Sequence, residues 1–407
     1  MANILIVTAG LAGILNTSLA MASRLVNAGH KVRLASPDPI AKTVAETGIE
    51  FDSLEPDGLD LFWRSDGLRP WFRRVKDRTR RLAEGVEALS ANRSVDWLAA
   101  QSPDLTLIDL ELHDYVMAFV GAGHRVAVLT PWMSAQRGRG VPALHTLNWP
   151  GSSWRGAPWA IDLAWRKWLM GKRLRRWQDW LSQAGVTWPG VLQAHARRHG
   201  FAYQRHVDPN HWPIPFLYPR LPLVHLQPWS FEFPHDPPGS VFYVGPLIDS
   251  DRPALLGDAE GAARLTRLLD QRDETRPLIA IALGSFFPEQ SEFLGRLAEV
   301  FRLRPTLDGV IGLGPTWRDV SSGFPANLRG FEWVSQPRVF AKADAVIHHG
   351  GINTCVEAAS YGLPMLAYTP GVRDMHGTVS RMAYHGLGLI GDRDKDSPQT
   401  IAQCLDH

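Results

Sequence analysis

The residues best suited to do chemistry lie near the C-terminus, where a short apolar run ends in a histidine and two glycines. Residues 345–348 have the pattern of a buried strand, residues 349–351 read His-Gly-Gly, and a helical pattern begins near Asn353. Glycines let a ligand approach the backbone, and a helix N-terminus presents unpaired N–H groups to an anion. Glu357 lies one helical turn beyond Asn353, on the same face, where its carboxylate can accept hydrogen bonds from ribose hydroxyls. The segment therefore predicts a site for the phosphates and ribose of a nucleotide.

Alternating strands and helices are expected to position this site. Residues 3–8 form a β-branched apolar run closed by Gly10 and Gly13, and a helical pattern and a second strand at residues 31–35 follow. A strand, a glycine turn, a helix and a strand make a βαβ unit, and fully apolar strands indicate a parallel sheet covered on both faces. The same alternation predicts further strands at residues 105–109, 126–130, 278–283, 309–313 and 345–348.

Pro-rich segments within residues 212–238 separate two such α/β zones, and a polar stretch at 249–276 leads into the second zone. We read this as a domain junction and predict two domains, residues 1–246 and 276–407, joined by a linker at 247–275. Two doubly wound sheets facing each other would place a ligand cleft at the carboxyl ends of their strands. The predicted fold class is α/β with two Rossmann-like domains.

The composition restricts the class of protein. The 407 residues suit two domains, 45% are apolar, 21% are charged, and the formal net charge is only +2. This near-neutral balance argues against nucleic acid as a partner. Two cysteines, Cys355 and Cys404, cannot make a disulfide framework and favour a reducing, cytoplasmic location. The N-terminal stretch has no basic residue before Arg24, unlike a signal peptide, and no apolar run is long enough to span a bilayer.

A longer ordered set of residues surrounds the His-Gly-Gly turn: Trp333, Val334, Gln336, His349, Asn353, Thr354, Glu357, the run Gly-Leu-Pro-Met at 362–365, and Asp374. This set resembles the donor-binding signature of family 1 (UDP-glycosyltransferase-like) glycosyltransferases of the bacterial type, which have the GT-B fold. The resemblance implies that Trp333 stacks on uracil and that Gln336 contacts the nucleoside. It also implies that His349 and the backbone after it hold the α-phosphate, and that Glu357 holds the ribose.

The same resemblance assigns the Gly284-Ser285 turn to the diphosphate and Asp374 to the sugar hydroxyls. The other residues that we place in the donor site are Val334, Gly351, Asn353, Thr354, Met375 and Gly13. The implied architecture is an N-terminal acceptor-binding domain and a C-terminal nucleotide-sugar donor-binding domain. The implied reaction is transfer of a sugar from a UDP-sugar, or a TDP-sugar, with inversion and with no metal and no cofactor beyond the donor. The acceptor would be a hydroxyl or carboxyl of a small lipophilic or aromatic molecule.

Two positions depart from the family's pattern. Met375 stands where family members usually carry the glutamine that reads the sugar, and a thioether cannot replace an amide's donor and acceptor. The family's usual preference for glucose is therefore not carried over. Aligning Gly13 with the family's glycine places Ile14 at the histidine that takes the acceptor's proton, and Thr17 at the proline that follows. An isoleucine cannot act as a base.

Three explanations for the missing histidine are open. In the first, the base is Asp109, which matches the aspartate that supports the family's histidine, or His113 or Asp114 just beyond it. These residues follow a parallel strand at its carboxyl end, where active-site residues collect. In the second, the acceptor is already acidic and needs little help. In the third, the protein binds nucleotide sugars without transferring them, as a donor-binding auxiliary or inactive homologue. Another GT-B nucleotide-sugar enzyme, such as an epimerase or a lipid-linked N-acetylglucosaminyltransferase, is a further alternative.

Two basic, tryptophan-rich segments have no counterpart in these motifs. Residues 62–81 carry eight basic residues against two acidic ones, and residues 160–181 carry six against two. In the second segment Ile161, Trp165, Trp177 and other apolar residues recur at roughly helical spacing. One interpretation is an ordinary helix whose apolar face covers the core of the N-terminal domain and whose arginines are solvated. The other is a basic helix with an aromatic face that contacts a membrane, which predicts a lipophilic or membrane-resident acceptor.

Overall fold

The structure is a computed structural model that describes residues 1–45, 47–249, 259–284, 291–315 and 317–406. Its chain divides into two compact units. Unit 1 comprises Met1–Ala143, Pro158–Trp229 and Pro234–Leu247, and unit 2 comprises Leu144–Ala157, Ser230–Phe233 and Ile248–His407.

Unit 1 is built on a parallel sheet whose described strands have the order β3-β2-β1-β4-β5-β6-β7. The central strands are buried on both faces, which explains why they consist of unbroken β-branched and apolar residues. Ile4, Ile6, Leu107 and Leu129 of these strands share one core cluster with Ile14 of the first helix. The strands are β1 (Asn3–Val7), β2 (Lys31–Ser36), β3 (Glu50–Ser53), β4 (Leu105–Asp109), β5 (Val126–Thr130), β6 (Leu223–His225) and β7 (Val241–Tyr243).

The helices of unit 1 include the two basic segments. Residues 62–81 span parts of three consecutive helices and the short turns between them, and residues 160–181 fall in one helix of 25 residues. The helices are α1 (Ala12–Asn27), α2 (Ala41–Ala45), α3 (Leu59–Gly67), α4 (Trp71–Lys76), α5 (Arg78–Glu87), α6 (Ala91–Gln101), α7 (His113–Gly121), α8 (Pro158–Ser182), α9 (Trp188–Arg198) and α10 (Tyr203–His206).

Unit 2 contains a second parallel sheet, with the strand order β10-β9-β8-β11-β12-β13 among the described residues. Its strands are β8 (Leu278–Ala282), β9 (Asp308–Gly312), β10 (Leu328–Phe331), β11 (Ala345–His348), β12 (Met365–Ala367) and β13 (Gly388–Ile390). Its helices are α11 (Ala259–Asp270), α12 (Ser291–Leu303), α13 (Trp317–Ser321), α14 (Gln336–Phe340), α15 (Ile352–Ser360), α16 (Met375–Tyr384) and α17 (Pro398–Cys404).

The two units are not the two continuous stretches of chain that the sequence suggests. Helix α11 lies within the predicted linker but belongs to unit 2, because Leu265 and Leu269 of its apolar face are buried. Two short segments from the first 246 residues, Leu144–Ala157 and Ser230–Phe233, also belong to unit 2. Within the described residues, no helix is both long and apolar enough to cross a lipid bilayer.

Candidate functional site

Both sheets reverse their strand order beside their first strand, and the candidate residues lie at these two points. In unit 1 the reversal lies between β1 and β4, and in unit 2 it lies between β8 and β11. A crevice opens outside the carboxyl ends of the strands at such a switch point, and ligands of open α/β sheets bind there. Asp109 ends β4, and His349 follows directly after β11.

At the switch point of unit 2, the ring of His349 lies against two glycines. Its Nδ1 is 2.8 Å from the carbonyl oxygen of Ala282 at the end of β8. A Cβ atom added to Gly284 or to Gly351 would come within 2.9 or 2.7 Å of its Nε2. Gly284 also has a φ of +76°, a conformation that a side chain would strain. The two glycines are therefore required for the ring to occupy this position.

These contacts fix the tautomer of His349. A carbonyl oxygen only accepts hydrogen bonds, so Nδ1 carries the proton and Nε2 carries a lone pair in the neutral ring. Burial lowers the pKa of His349, although the bond to Ala282 partly opposes that effect. The ring is thus neutral in the free protein at neutral pH.

Helix α15 begins immediately after the His-Gly-Gly turn. Gly350 has a φ of +95°, and Gly351 is the N-cap of the nine-residue helix and has no side chain to occupy its first N–H groups. The N-terminus of α15 therefore follows within three residues of His349, and the dipole of a helix N-terminus suits a phosphate. Asn353 lies in the first turn and is half-buried, while Glu357 lies one turn later and is buried.

The nucleoside-binding residues predicted from the sequence come together from two neighbouring elements. Thr354 Oγ1 lies 3.5 Å from Gln336 Oε1, which links the first turn of α15 to the start of α14. Trp333 and Val334 lie in the loop between β10 and α14, and Trp333 is half-buried. A Cβ atom on Gly312, at the end of β9, would lie 3.3 Å from Val334 Cγ2, so this loop passes over the carboxyl end of β9.

Asp374 and Met375 lie at the start of α16, where Asp374 is the N-cap residue. Thr378 is buried, and its hydroxyl donates to the carbonyl oxygen of Asp374. The sequence prediction missed His376, whose Nδ1 lies 3.1 Å from the carbonyl oxygen of His145. A Cβ atom on Gly371 would come within 2.5 Å of the ring of His376, so the two residues are in close contact.

The two short segments from the first half of the chain both contact α16. Gly377 N donates to Leu144 O at 2.7 Å, and Asn148 N donates to Ser380 Oγ at 2.9 Å. In the other segment, Glu232 forms an ion pair with Arg381, and both side chains are fully buried. These long-range contacts were not predicted from the sequence.

At the switch point of unit 1, the carboxylate of Asp109 accepts two backbone hydrogen bonds. Its Oδ2 is 3.3 Å from the nitrogen of Ala9 in the turn after β1, and its Oδ1 is 3.1 Å from the nitrogen of Glu111. Burial raises the pKa of Asp109 to about 7, and these two bonds only partly oppose that effect. Asp38, which the sequence prediction missed, accepts a hydrogen bond from Gly10 N at 2.5 Å and adds a second carboxylate to the same turn.

Comparison with known proteins supports the assignment suggested by these residues. Residues 307–407, which include positions 333–374, match the family model described as the Erythromycin biosynthesis protein CIII-like C-terminal domain. The chain is 30% identical over 184 residues to the NDP-glycosyltransferase YjiC of Bacillus subtilis (strain 168), covering 45% of this chain and 43% of that protein. It is 24% identical over 389 residues to the oleandomycin glycosyltransferase of Streptomyces antibioticus, covering 93% of this chain and 76% of that protein.

Together, the family model and these relatives support a family 1 glycosyltransferase of bacterial type. Solved structures show that its fold is GT-B. The glycotransferase of kitacinnamycin superimposes with a TM-score of 0.63 and 18% identity, covering 100% of this chain and 90% of that one. The glycosyltransferase VinC, solved in complex with DTDP, gives a TM-score of 0.61 and 17% identity, covering 99% of this chain and 90% of that one. The alignment with YjiC spans less than half the length of that relative.

In this chain, the residue at the position of the expected histidine is packed into the core of unit 1. Ile14 is buried in the first two turns of α1 among the core residues of the sheet. Gly13 precedes it in the same helix, with open space where a side chain would project, and Thr17 donates its hydroxyl to the carbonyl oxygen of Ile14. A general base, if this chain uses one, therefore lies elsewhere.

The other candidate bases next to Asp109 are enclosed by the core. His113 Nδ1 is 2.8 Å from the hydroxyl of Tyr218, and its ring packs against Phe216 with the centroids 4.7 Å apart. Burial lowers the pKa of His113 to about 3. Asp114 accepts a hydrogen bond from Ala91 N, and burial raises its pKa to about 6. The side chains of His113 and Asp114 therefore both have structural roles in the core.

Ser285, predicted to hold the diphosphate, lies outside the described residues.

Proposed function

We propose that this chain transfers a sugar from a pyrimidine nucleoside diphosphate sugar to an acceptor, with inversion and without a metal ion. The observation that carries the proposal is the turn between β11 and α15, where the ring of His349 and the N-terminus of α15 meet at the switch point of the sheet. This arrangement offers one imidazole and several backbone N–H groups to a diphosphate. Trp333 and Gln336 would bind the base, and Glu357 would bind the ribose.

Uridine and thymidine nucleotides both suit this site. The resemblance of Trp333 and Gln336 to the family's signature favours uridine, whereas VinC was solved with DTDP. We propose that Asp374, at the start of α16, binds the sugar hydroxyls and that Met375 beside it presents an apolar surface to the sugar. The acceptor that we propose is a small lipophilic or aromatic molecule with a hydroxyl or carboxyl group, and the reaction would occur in the cytoplasm.

We propose Asp109 as the general base. A group with a pKa close to the working pH is suited to accepting the acceptor's proton as the bond to the anomeric carbon forms. Burial raises the pKa of Asp109 to about 7, so a large share of the molecules carry the ionised form at neutral pH. His113 is not proposed as the base, because its Nδ1 is bonded to Tyr218 and burial lowers its pKa to about 3, which makes it a weak base at neutral pH.

The proposal is tested by nucleotide binding and turnover in three forms of the protein. Calorimetry with UDP, TDP and their sugars measures the dissociation constant, and mass spectrometry measures transfer to an acceptor panel. We expect His349→Ala to lose nucleotide affinity. The control His385→Ala, at the C-terminal end of α16, should keep it. Asp109→Asn should keep nucleotide affinity and lose roughly 10²–10⁴ in kcat. In the wild type, kcat/KM should rise with pH and level off above about pH 7.

A stability measurement separates the role of Asp109 from a folding defect. A buried carboxyl with a raised pKa binds its proton more tightly in the folded state than in the unfolded state. The free energy of unfolding of the wild type should therefore rise, relative to Asp109→Asn, as the pH falls from 8 to 5, by on the order of 2 kcal/mol. Urea denaturation at both pH values measures this difference.

The outcomes distinguish the proposal from its alternative. Nucleotide binding without transfer to any acceptor would favour a donor-binding auxiliary protein, for which the packing of Ile14 in place of a histidine is the supporting observation. An absence of binding to every nucleotide would contradict both functions. Full activity in Asp109→Asn would contradict Asp109 as the base and would leave another base or an acidic acceptor as the explanation.

A further inference from the structure

Helix α8 of unit 1 has an apolar stripe on its outward face. The stripe consists of Trp159, Leu163, Met170, Leu174, Trp177 and Leu181, whose exposed fractions range from 38% to 68%. At 3.6 residues per turn, these six side chains fall within a sector of roughly 60° along a helix of about 37 Å. We call this set the outer stripe. Side chains of this size are seldom left exposed in one continuous row on a monomeric soluble protein.

The opposite face of α8 is fixed to the body of unit 1. Ile161, Trp165 and Leu169 are buried there, and Trp165 Nε1 donates to the carbonyl oxygen of Val141 at 2.8 Å. The buried ammonium of Lys172 donates to three carbonyl oxygens, at 2.5–2.9 Å, which belong to Pro209, His211 and Pro213. These contacts set the rotation of the helix, so the outer stripe faces away from the core.

The last ten residues of α8, 173–182, are exposed on every side. The end of the helix is nevertheless anchored, because Trp71 Nε1 donates to the carbonyl oxygen of Leu181 at 3.0 Å and Arg74 donates to that of Ser182 at 3.3 Å. Helix α4 is thereby held against α8. Its exposed Trp71 and Phe72 extend the apolar surface beyond the outer stripe.

Basic residues border this apolar surface. Arg166 and Arg173 lie along one edge of the outer stripe and Lys167 lies along the other, and all three are exposed. Residues 62–81 and 160–181 together carry fourteen basic and four acidic residues, an excess of ten positive charges, while the whole chain has a net charge of +2. The remainder of the protein is therefore net acidic, and the positive charge is concentrated around α4 and α8.

We propose that the outer stripe and helix α4 dock on the surface of an anionic lipid membrane. Tryptophan and leucine in a row between arginines and lysines match an interface where acyl chains lie beneath negatively charged headgroups. A second copy of the chain fits less well, because pairing two outer stripes would bring rows of arginines together. Asp162, the acidic residue nearest the stripe's first half, is already bonded to Arg137 and Arg166.

Sedimentation with lipid vesicles tests this proposal in the absence of nucleotide, so its failure is separate from a failure of the proposed function. The full chain is mixed with vesicles of phosphatidylcholine alone, or with vesicles that also contain phosphatidylglycerol. We expect the protein to pellet with the anionic vesicles and to be released by high salt. The double substitution Leu174→Glu and Trp177→Glu should weaken the binding by about tenfold or more.

A matched control is Phe242→Glu, which changes an aromatic residue that is 50% exposed on β7 of the same unit. It should bind vesicles as the wild type does. The double variant should keep the wild-type circular dichroism and melting temperature, because neither side chain packs in the core. The proposal is overturned if the anionic vesicles do not bind the protein or bind the double variant equally well. It is also overturned if sedimentation velocity shows a dimer that the double variant dissociates, since a second copy would then cover the stripe.

Discussion

At the scale of single residues, His349 is held in one tautomer by its neighbours. Its Nδ1 proton is committed to the carbonyl oxygen of Ala282, and its Nε2 lies between Gly284 and Gly351. The neutral ring can only accept a hydrogen bond at Nε2. A diphosphate oxygen also only accepts hydrogen bonds. The ring must therefore gain a proton before it can donate to the nucleotide that we propose as its ligand.

This conflict predicts that nucleotide binding takes up a proton at His349. Burial lowers the pKa of the free side chain, so the ring begins neutral, and a bound diphosphate would raise that pKa by favouring the charged form. The nucleotide affinity should therefore fall as the pH rises from 7 to 9. Calorimetry with UDP or TDP in buffers of different ionisation enthalpy measures the number of protons taken up, which should approach one per site.

His349→Asn is the matched control, because an asparagine has no group that titrates in this range. It should bind nucleotide more weakly and without proton uptake. A wild type that binds nucleotide with no proton uptake would contradict the prediction. It would show that the N–H groups of α15 hold the phosphates without the imidazole.

Single residues also show where prediction from sequence ends. His349 and His113 both follow predicted strands, and the sequence proposed both as site residues. The glycines beside His349 distinguish it, because they mark a backbone that a ligand can approach. Nothing near His113 reveals that Tyr218, 105 residues away, occupies its Nδ1.

At the scale of elements, helix α16 depends on a glycine that a helix would not otherwise favour. Gly377 lies in its first turn, and a Cβ atom there would come within 2.7 Å of the backbone Cα and oxygen of Leu144. The N–H of Gly377 donates to that same oxygen. The glycine thus allows the segment Leu144–Ala157 to lie directly on the turn that carries Asp374 and Met375.

Gly377→Ala should therefore destabilise the protein, although alanine is intrinsically the better helix former. We expect a loss of about 1–3 kcal/mol in the free energy of unfolding, because the clash is with backbone that cannot rotate away. The affinity for a nucleotide sugar should fall more than that for the nucleotide alone, since the displaced turn is the one proposed to bind the sugar. Urea denaturation and calorimetry measure the two effects.

Gly295→Ala in α12 of the same unit is the control. Outside the backbone of its own helix, no atom lies within 4 Å of the added Cβ, so this substitution should stabilise the protein by about 0.5–1 kcal/mol. If Gly377→Ala were equally stabilising, the segment Leu144–Ala157 would not be packed on α16 as described.

The elements that the sequence predicted best are the buried parallel strands. The strands predicted at 105–109, 126–130 and 345–348 have these bounds in the structure, since such strands are unbroken apolar runs. Helix α8 was also predicted, but periodicity grouped Trp177 with the core-facing Ile161 and Trp165, and Trp177 is exposed. Helical spacing shows which residues share a face, but it does not show how far along the helix the core extends. The helix therefore covers the core of unit 1 only as far as Lys172, and residues 173–182 are exposed.

At the scale of the whole molecule, the two sheets repeat one plan. Each orders its first four strands third, second, first, fourth, and each has a candidate residue at the reversal, Asp109 in unit 1 and His349 in unit 2. The repeated alternation of strands and helices made this duplication visible in the sequence. The sequence did not show that Ser230–Phe233 belongs to unit 2. This segment is held there by the ion pair between Glu232 and Arg381, which are 149 residues apart.

The proposed donor site and the proposed membrane surface belong to different units, which predicts two separate footprints in hydrogen exchange. A nucleotide should slow amide exchange at residues 312–315 and 349–357 of unit 2, where backbone N–H groups lie at the carboxyl ends of β9 and β11. Anionic vesicles should instead slow exchange in α4 and in the exposed end of α8, because a lipid surface excludes water from amides that now face solvent. The His349→Ala variant should lose the first footprint and keep the second, and the Leu174→Glu, Trp177→Glu variant should do the reverse. If one substitution abolished both footprints, nucleotide binding and membrane binding would be coupled. The membrane would then act on the donor site rather than serve as a separate docking partner.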